Sequence, residues 1–162
     1  MSRKEYWITK LGLLPHPEGG FFKESYRSTE SIPGASLPAR YGSDRVFATQ
    51  IYFMLVKGNF SAFHRVASDE TWHFYDGVPV RLHLLDQSGH QTVLLGIEGG
   101  MEPQFTVPAG TWFAAEVEDE GEFSLAGCSV APGFDFADFQ MASKEELYKQ
   151  FPYEVVNRLC RE

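Results

Sequence analysis

From residue 46 onward the chain alternates short apolar runs with turn-forming residues. Residues 46–56, 60–66, 71–75, 80–85, 92–97, 104–107, 111–117 and 123–130 are dominated by β-branched, aromatic and other apolar side chains. Between them lie Lys57-Gly58-Asn59, Asp76-Gly77, residues 86–90 and 98–103, Pro108-Ala109-Gly110 and residues 118–121. Short strands punctuated this way predict an antiparallel sandwich or barrel. Around 71–75 the strand period of two puts Glu70, Trp72 and Phe74 on one face and His73 on the other.

The two ends read differently. Ser2 and Glu5 have the spacing of a capping box, and Trp7, Ile8 and Leu11 share one face of the helix it would open. LLPHPEGG, residues 13–20, stops that helix; His16, Glu18, Gly19 and Gly20 read as a turn into a strand over 21–27. Residues 28–43, rich in Ser, Pro and Gly, are expected to form a mobile loop. Ser143 with Glu146 opens a terminal helical region that Pro152 interrupts. No repeat or linker divides the chain, so residues 1–162 are expected to form one domain with a barrel core at about 21–135.

Composition narrows the function. No segment approaches the roughly 18 uninterrupted apolar residues of a membrane span. The basic N-terminus has neither a long apolar run nor a small-residue cleavage site, so no signal peptide is expected. Two cysteines, Cys128 and Cys160, are too few for a disulfide framework and point to the cytoplasm. A net charge of −8 disfavours nucleic acid and anionic membranes as partners. A small-molecule ligand and a second copy of the chain are the expected partners.

The candidate chemistry lies in GNFSAFHRVASDETWHFYDG, residues 58–77. Gly58, His64, Glu70 and Gly77 keep the frame of the first cupin motif, with Val66 where a second histidine stands. Pro108-Ala109-Gly110 followed by Thr111-Trp112-Phe113 matches the second motif, with Phe113 replacing its histidine. LGLLPHPEGGFFKESYRS, IYFML, VPAGTWFAA and VAPGFDFADF extend the match from about residue 11 to 139. On these segments the chain resembles the cupin_5 (DUF985) family of the cupin superfamily. The resemblance implies an all-β, antiparallel double-stranded β-helix, an RmlC-like jelly-roll barrel with short terminal helices. It also implies a small-molecule pocket inside the barrel and a homodimer.

A cupin metal site usually takes three histidines and a glutamate, and the matching positions here hold His64, Val66, Glu70 and Phe113. With two donors left, no cofactor is expected; the alternative is a divalent ion bound weakly at His64 and Glu70. His64 and Glu70 are the candidate catalytic residues, since a buried imidazole and carboxylate demand a partner or a ligand. Tyr52, Trp72, Phe74, Trp112, Phe113 and Asp135 are the candidate ligand-binding residues, giving aromatic walls beside a polar pair. Tyr52 and Trp112 have the alternative of core or interface, and Asp135 that of capping a turn. Cys128, in an apolar strand, reads as an inert core thiol.

The chain is similar in outline to the metal-independent sugar epimerases of the RmlC type. That similarity implies His64 as base, Glu70 or Asp135 orienting it, and Tyr52 returning the proton. Three readings follow: a sugar or nucleotide-sugar epimerase or isomerase, a non-catalytic metabolite-binding protein, and a metal-dependent cupin enzyme with an atypical ligand set. Segment 11–27, with Leu13, Leu14, Phe21, Phe22 and Tyr26, is expected to pack on a second subunit.

Overall fold

The computed structural model describes residues 1–17, 19–118 and 121–161. Glu18 in the first turn, and Asp119 and Glu120 in the turn at 118–121, lie outside the described residues. Helix α1 (Arg3–Leu11) opens with the expected capping box, Ser2 Oγ accepting from the Glu5 amide while the Glu5 carboxylate accepts from the Ser2 amide. Gly12 ends it in a left-handed conformation.

The strands follow as β1 (Leu14–Pro15), β2 (Phe21–Arg27), β3 (Ser31–Ile32), β4 (Arg45–Val46), β5 (Thr49–Val56), β6 (Phe60–Arg65) and β7 (Asp69–Gly77). Then come β8 (Val80–Asp86), β9 (Gly89–Leu95), β10 (Gln104–Val107), β11 (Trp112–Val117), β12 (Phe123–Ala131) and β13 (Gln140–Met141). Helices α2 (Lys144–Gln150) and α3 (Glu154–Leu159) close the described chain, broken at Pro152 as expected. No helix is long and apolar enough to cross a membrane among the described residues.

Two antiparallel sheets face each other, in the orders β1-β2-β5-β12-β7-β10 and β13-β6-β11-β8-β9. This is the antiparallel jelly roll that the strand pattern and the cupin resemblance predict. Between the sheets lies a lumen filled from both sides by Phe53, Leu55, Trp72, Leu82, Phe113 and Ala126, among others. The outer faces are covered too. Helix α1 lays Trp7, Ile8 and Leu11 over Met54, Phe123 and Leu125 on the first sheet. Helices α2 and α3 lay Leu147, Val155, Val156 and Leu159 over Phe63, Leu85, Trp112 and Ala114 on the second. Where a helix covers it, each sheet is therefore apolar on both faces, which blurs the alternation from which sequence reads inside from outside.

The segment expected to be a mobile loop is structured. It holds β3, pairing with β4, and two single 3₁₀ turns, Gly34–Ser36 and Ala39–Tyr41. Its organiser is Arg45, whose five N–H groups all find acceptors. Nε and Nη2 donate to the two Asp138 carboxylate oxygens at 2.8 and 2.6 Å, Nη2 also to the Tyr41 carbonyl, and Nη1 to Ser43 Oγ and the Asp44 carbonyl. The Arg45 and Asp138 side chains are 1% and 4% exposed, so this is a buried, bidentate ion pair. It ties the 41–45 turn to the segment after β12.

Candidate functional site

The lumen is where the motif residues meet. His64 on β6 and Glu70 on β7 are close in sequence, yet β6 and β7 belong to opposite sheets, so the two residues face the lumen from different walls. Phe113 pairs with His64 across β11 and β6, and its ring centroid lies 4.3 Å from the imidazole. On the other wall Trp72 packs edge-on to Phe53 at 5.8 Å and to Phe113 at 6.3 Å, and Phe74 packs on the same core. Glu70, Trp72, Phe74 and Phe113 thus stand on the inward face that their spacing predicts.

His64 is held in one tautomer. Nδ1 sits 2.7 Å from the Ala62 carbonyl oxygen, which can only accept, so Nδ1 carries the proton and Nε2 keeps its lone pair. Burial pushes its pKa down to about 4, the Ala62 bond opposing this and His16 adding to it. At neutral pH the ring is an uncharged imidazole. His16, from the turn before β2, packs edge-on to Phe22 at 5.0 Å and Phe53 at 5.9 Å. It therefore belongs to the lumen side, a placement that its proline- and glycine-rich surroundings do not reveal.

Glu70 has the opposite perturbation. Burial pushes its pKa up to about 7, partly offset by a hydrogen bond from the Cys128 thiol. Burial and the neighbouring carboxylate push the Cys128 pKa well above its ordinary value, so it stays a thiol and a donor. Cys128 pairs with Trp72 in the β12–β7 register, one step from Glu70 opposite Val130. Cys128 is thus the inert core thiol that its apolar strand predicts, and it also lies beside the lumen carboxyl. Trp72 Nε1 is buried with no hydrogen-bond partner, a donor left unsatisfied in the lumen wall.

Three candidate ligand-binding residues do not line the lumen. Tyr52 lies on the outer face of β5, between the lumen-facing Ile51 and Phe53, and its ring meets Tyr75 at 6.1 Å. With Gln50, Ser25, His73 and Ser129 it borders an outer cleft of about 170 Å³. Trp112 is the outward neighbour of Phe113 and packs under α2 and α3, with the Arg65 guanidinium 4.4 Å over its ring. Adjacent strand residues cannot share a face, so only one of the two could have been inward. Asp135 is exposed and caps a 3₁₀ turn (Phe136–Asp138), accepting from the Ala137 amide at 2.8 Å. The roles implied for Tyr52 as proton donor and Asp135 as orienting acid therefore have no support in the fold. Glu70 does not orient His64 either: no hydrogen bond joins them, and the Ala62 carbonyl sets the ring.

The donor set does not fit a metal. Val66 and Phe113 are buried apolar groups at two of the four cupin ligand positions, and the described residues contain no group of three or more His, Cys, Asp or Glu that could hold an ion. His83, a histidine that sequence leaves unplaced, is far from vacant. It lies on the outer face of β8, donating through Nε2 to Glu116 at 2.9 Å and accepting through Nδ1 from His90 at 3.0 Å, and Arg158 of α3 clamps both Glu116 oxygens.

Comparison with known proteins gives a consistent picture. The model of the family Cupin_5, cupin superfamily (DUF985), matches residues 5–142. A hypothetical protein from Leishmania major has a solved structure that superposes with a TM-score of 0.87 at 34% identity, over 98% of each chain. Protein SO0799 from Shewanella oneidensis superposes with a TM-score of 0.85 at 37% identity, over 99% of each chain. The uncharacterized protein YML079W of Saccharomyces cerevisiae is 26% identical over 170 residues, covering 91% of this chain and 79% of the yeast protein. Oxalate decarboxylase from Bacillus subtilis shares the fold alone, at 15% identity and a TM-score of 0.55, over 90% of this chain and 36% of that one.

Proposed function

The chain belongs to the Cupin_5 (DUF985) family of the cupin superfamily, and from that premise we propose that its barrel lumen binds a small, uncharged polar metabolite, such as the sugar part of a sugar or nucleotide-sugar, at Glu70 and His64. One observation carries this reading: an imidazole held neutral and a carboxyl poised near neutrality face the same aromatic-walled lumen. Groups whose pKa values are displaced in opposite directions are a recurring sign of proton-transfer sites.

The chemistry that suits the pair is epimerisation or isomerisation beside a carbonyl. Glu70, with its pKa near the working pH, is better matched as base than His64 at about 4. Its carboxylate takes a proton from the carbon next to the carbonyl, and the C–H electron pair moves into an enolate. Return of the proton from Glu70, now a carboxylic acid, to the same face completes the exchange, and inversion requires the enolate to turn its other face to Glu70 before the proton returns. His64, neutral and with Nε2 free of protein hydrogen bonds, accepts a hydrogen bond from a substrate hydroxyl. The side chains packed into the lumen core are apolar, and the one buried lysine or arginine among the described residues, Arg45, is paired with Asp138, so a diphosphate would have to stay outside the barrel.

The test is deuterium wash-in. A panel of free sugars and nucleotide-sugars is first ranked by thermal shift, and the best binders are then incubated in D₂O and followed by NMR. Incorporation next to the carbonyl, lost in Glu70→Gln, supports proton transfer. Binding without incorporation favours a non-catalytic metabolite-binding protein, and no binding across the panel refutes the sugar reading.

A cytoplasmic homodimer completes the proposal. Leu13 and Phe21 pack under α1 and Phe22 packs into the lumen, so these three seal their own barrel. Leu14 and Tyr26, 64% and 50% exposed, are what segment 11–27 leaves for a second copy. Light scattering at micromolar concentration tests this, a mass near 18 kDa counting against it.

A further inference from the structure

The VAPGFDFADF segment is a signature of the chain with no role in the chemistry described so far. After β12 it crosses the barrel end and runs into β13, which pairs with β6, Met141 opposite His64 and Gln140 opposite Arg65. Phe139, one residue earlier, stacks on the His64 imidazole with ring centroids 5.1 Å apart and planes tilted by 27°. Phe113 takes the other contact at 4.3 Å. The imidazole is therefore held between two phenyl rings, with its Nδ1 edge tied to Ala62. One of those rings is delivered by a segment from outside the barrel wall.

That segment is fastened at several points. Asp138, the residue before Phe139, receives the two bonds from Arg45. The Phe134 amide donates to Thr49 Oγ1 at 3.0 Å. The Phe134 carbonyl faces the Arg27 guanidinium at 3.4 Å. Gly133 is pressed so close to β4 that a Cβ there would lie 2.3 Å from Val46 Cγ2. Such fastening is more than an exposed turn needs. Phe136 at its tip is left in solvent, while Asp138 and Phe139 beside it are drawn in.

We propose that Phe139 is a positioning residue for His64: the Arg45–Asp138 ion pair holds its ring against the imidazole and shields that ring from water at the lumen mouth. This rests on the reading of His64 as a ligand-contacting group. It makes the 132–139 segment, and not the barrel wall alone, part of the site. The titratable group bearing on His64 from the turn before β2 is His16; on β6 itself the Ala62 carbonyl bonds the ring, and Phe139, just before β13, and Met141, within it, carry no charge.

The experiment follows His64 directly in the full chain, with no ligand present. In the unsubstituted protein, ¹⁵N NMR should show the Nδ1–H tautomer persisting down to about pH 4. Peptide mapping should show slow modification by diethyl pyrocarbonate. Phe139→Ala should raise the midpoint by at least one pH unit toward the ordinary value of about 6.5 and speed modification of His64 at least tenfold. Phe139→Tyr, which restores a ring, should return both to the starting values, and Asp138→Asn, which loosens the ion pair, should give an intermediate shift. If Phe139→Ala does not fold, Phe139→Leu keeps the apolar bulk without the ring and should show the same direction. A folded Phe139→Ala or Phe139→Leu variant with unchanged midpoint and reactivity overturns the proposal. Because no ligand enters the measurement, failure of every sugar in the binding panel leaves this result standing. An unmoved His64 likewise leaves the Glu70 exchange assay intact.

Discussion

His64 and Glu70 share one lumen without touching. The imidazole is tied to the Ala62 carbonyl, and the carboxyl takes its hydrogen bond from the Cys128 thiol. Each is buried with its neutral form favoured, so each makes stability depend on pH, with opposite sign.

Glu70 has a folded pKa raised to about 7. The folded state then holds the proton more tightly than the unfolded chain, and stability falls as pH rises from the ordinary carboxyl range through about 7. Glu70→Gln should therefore stabilise the protein at pH 8, by up to about 3 kcal/mol. The gain should shrink toward pH 4. Urea melts of both proteins across that range check this; a variant less stable than the parent at pH 8 contradicts it.

His64 has a folded pKa lowered to about 4. Here the unfolded chain binds the proton first, so stability is complete above about 6.5 and is lost as pH falls toward 4. His64→Gln should flatten that acid limb. The same series of melts reports it, as a shallower dependence between pH 6.5 and 4.

Removing one partner of the Arg45–Asp138 pair should be costly, because a charge with 1–4% exposure is left behind. Asp138→Ala is expected to lose about 3 kcal/mol or more in chemical denaturation. Arg45→Met combined with Asp138→Leu should recover much of that loss.

Two glycines of the motif frame separate conformation from space. Gly77 has φ of 92°, and a Cβ there would lie 2.3 Å from the Phe123 carbonyl oxygen. Gly58 has φ of 87° with nothing within 4 Å. Gly58→Ala should cost only the left-handed penalty, about 1–2 kcal/mol. Gly77→Ala should cost clearly more, since a backbone atom must give way. Equal thermal shifts for the two would contradict the close approach of β7 and β12.

Replacing Val66 and Phe113 by histidine restores donors at the two apolar ligand positions. The Val66→His, Phe113→His double variant should bind zinc or nickel more tightly than the parent in calorimetry. Equal affinities would mean that these positions do not converge on His64 and Glu70.

The barrel and its polar pair were legible because local signals carry them. Turn residues punctuate the strands, and the period of two puts Glu70, Trp72 and Phe74 together. Inside and outside were harder to tell apart where helices cover the sheets. Met54 is as deeply buried as Leu55, although one lies under α1 and the other in the lumen. The same ambiguity hid the roles of Tyr52 and Trp112. Parity does at least forbid Trp112 and Phe113 from sharing a face. Arg45 and Asp138 are 93 positions apart, and no local pattern announces such a pair.

The wall between the lumen and the outer cleft is a single strand thick. Along β12, Cys128 looks inward to Glu70 while Ser129 looks outward to His73, 3.2 Å away. β12 is bonded on both sides, to β5 and β7, and cannot slide. Successive side chains of β12 thus serve the two surfaces in turn, with Cys128 bordering both. Selection on what the outside of this strand recognises can act through odd-numbered positions such as Ser129, whereas a change at Cys128 would be felt on both surfaces.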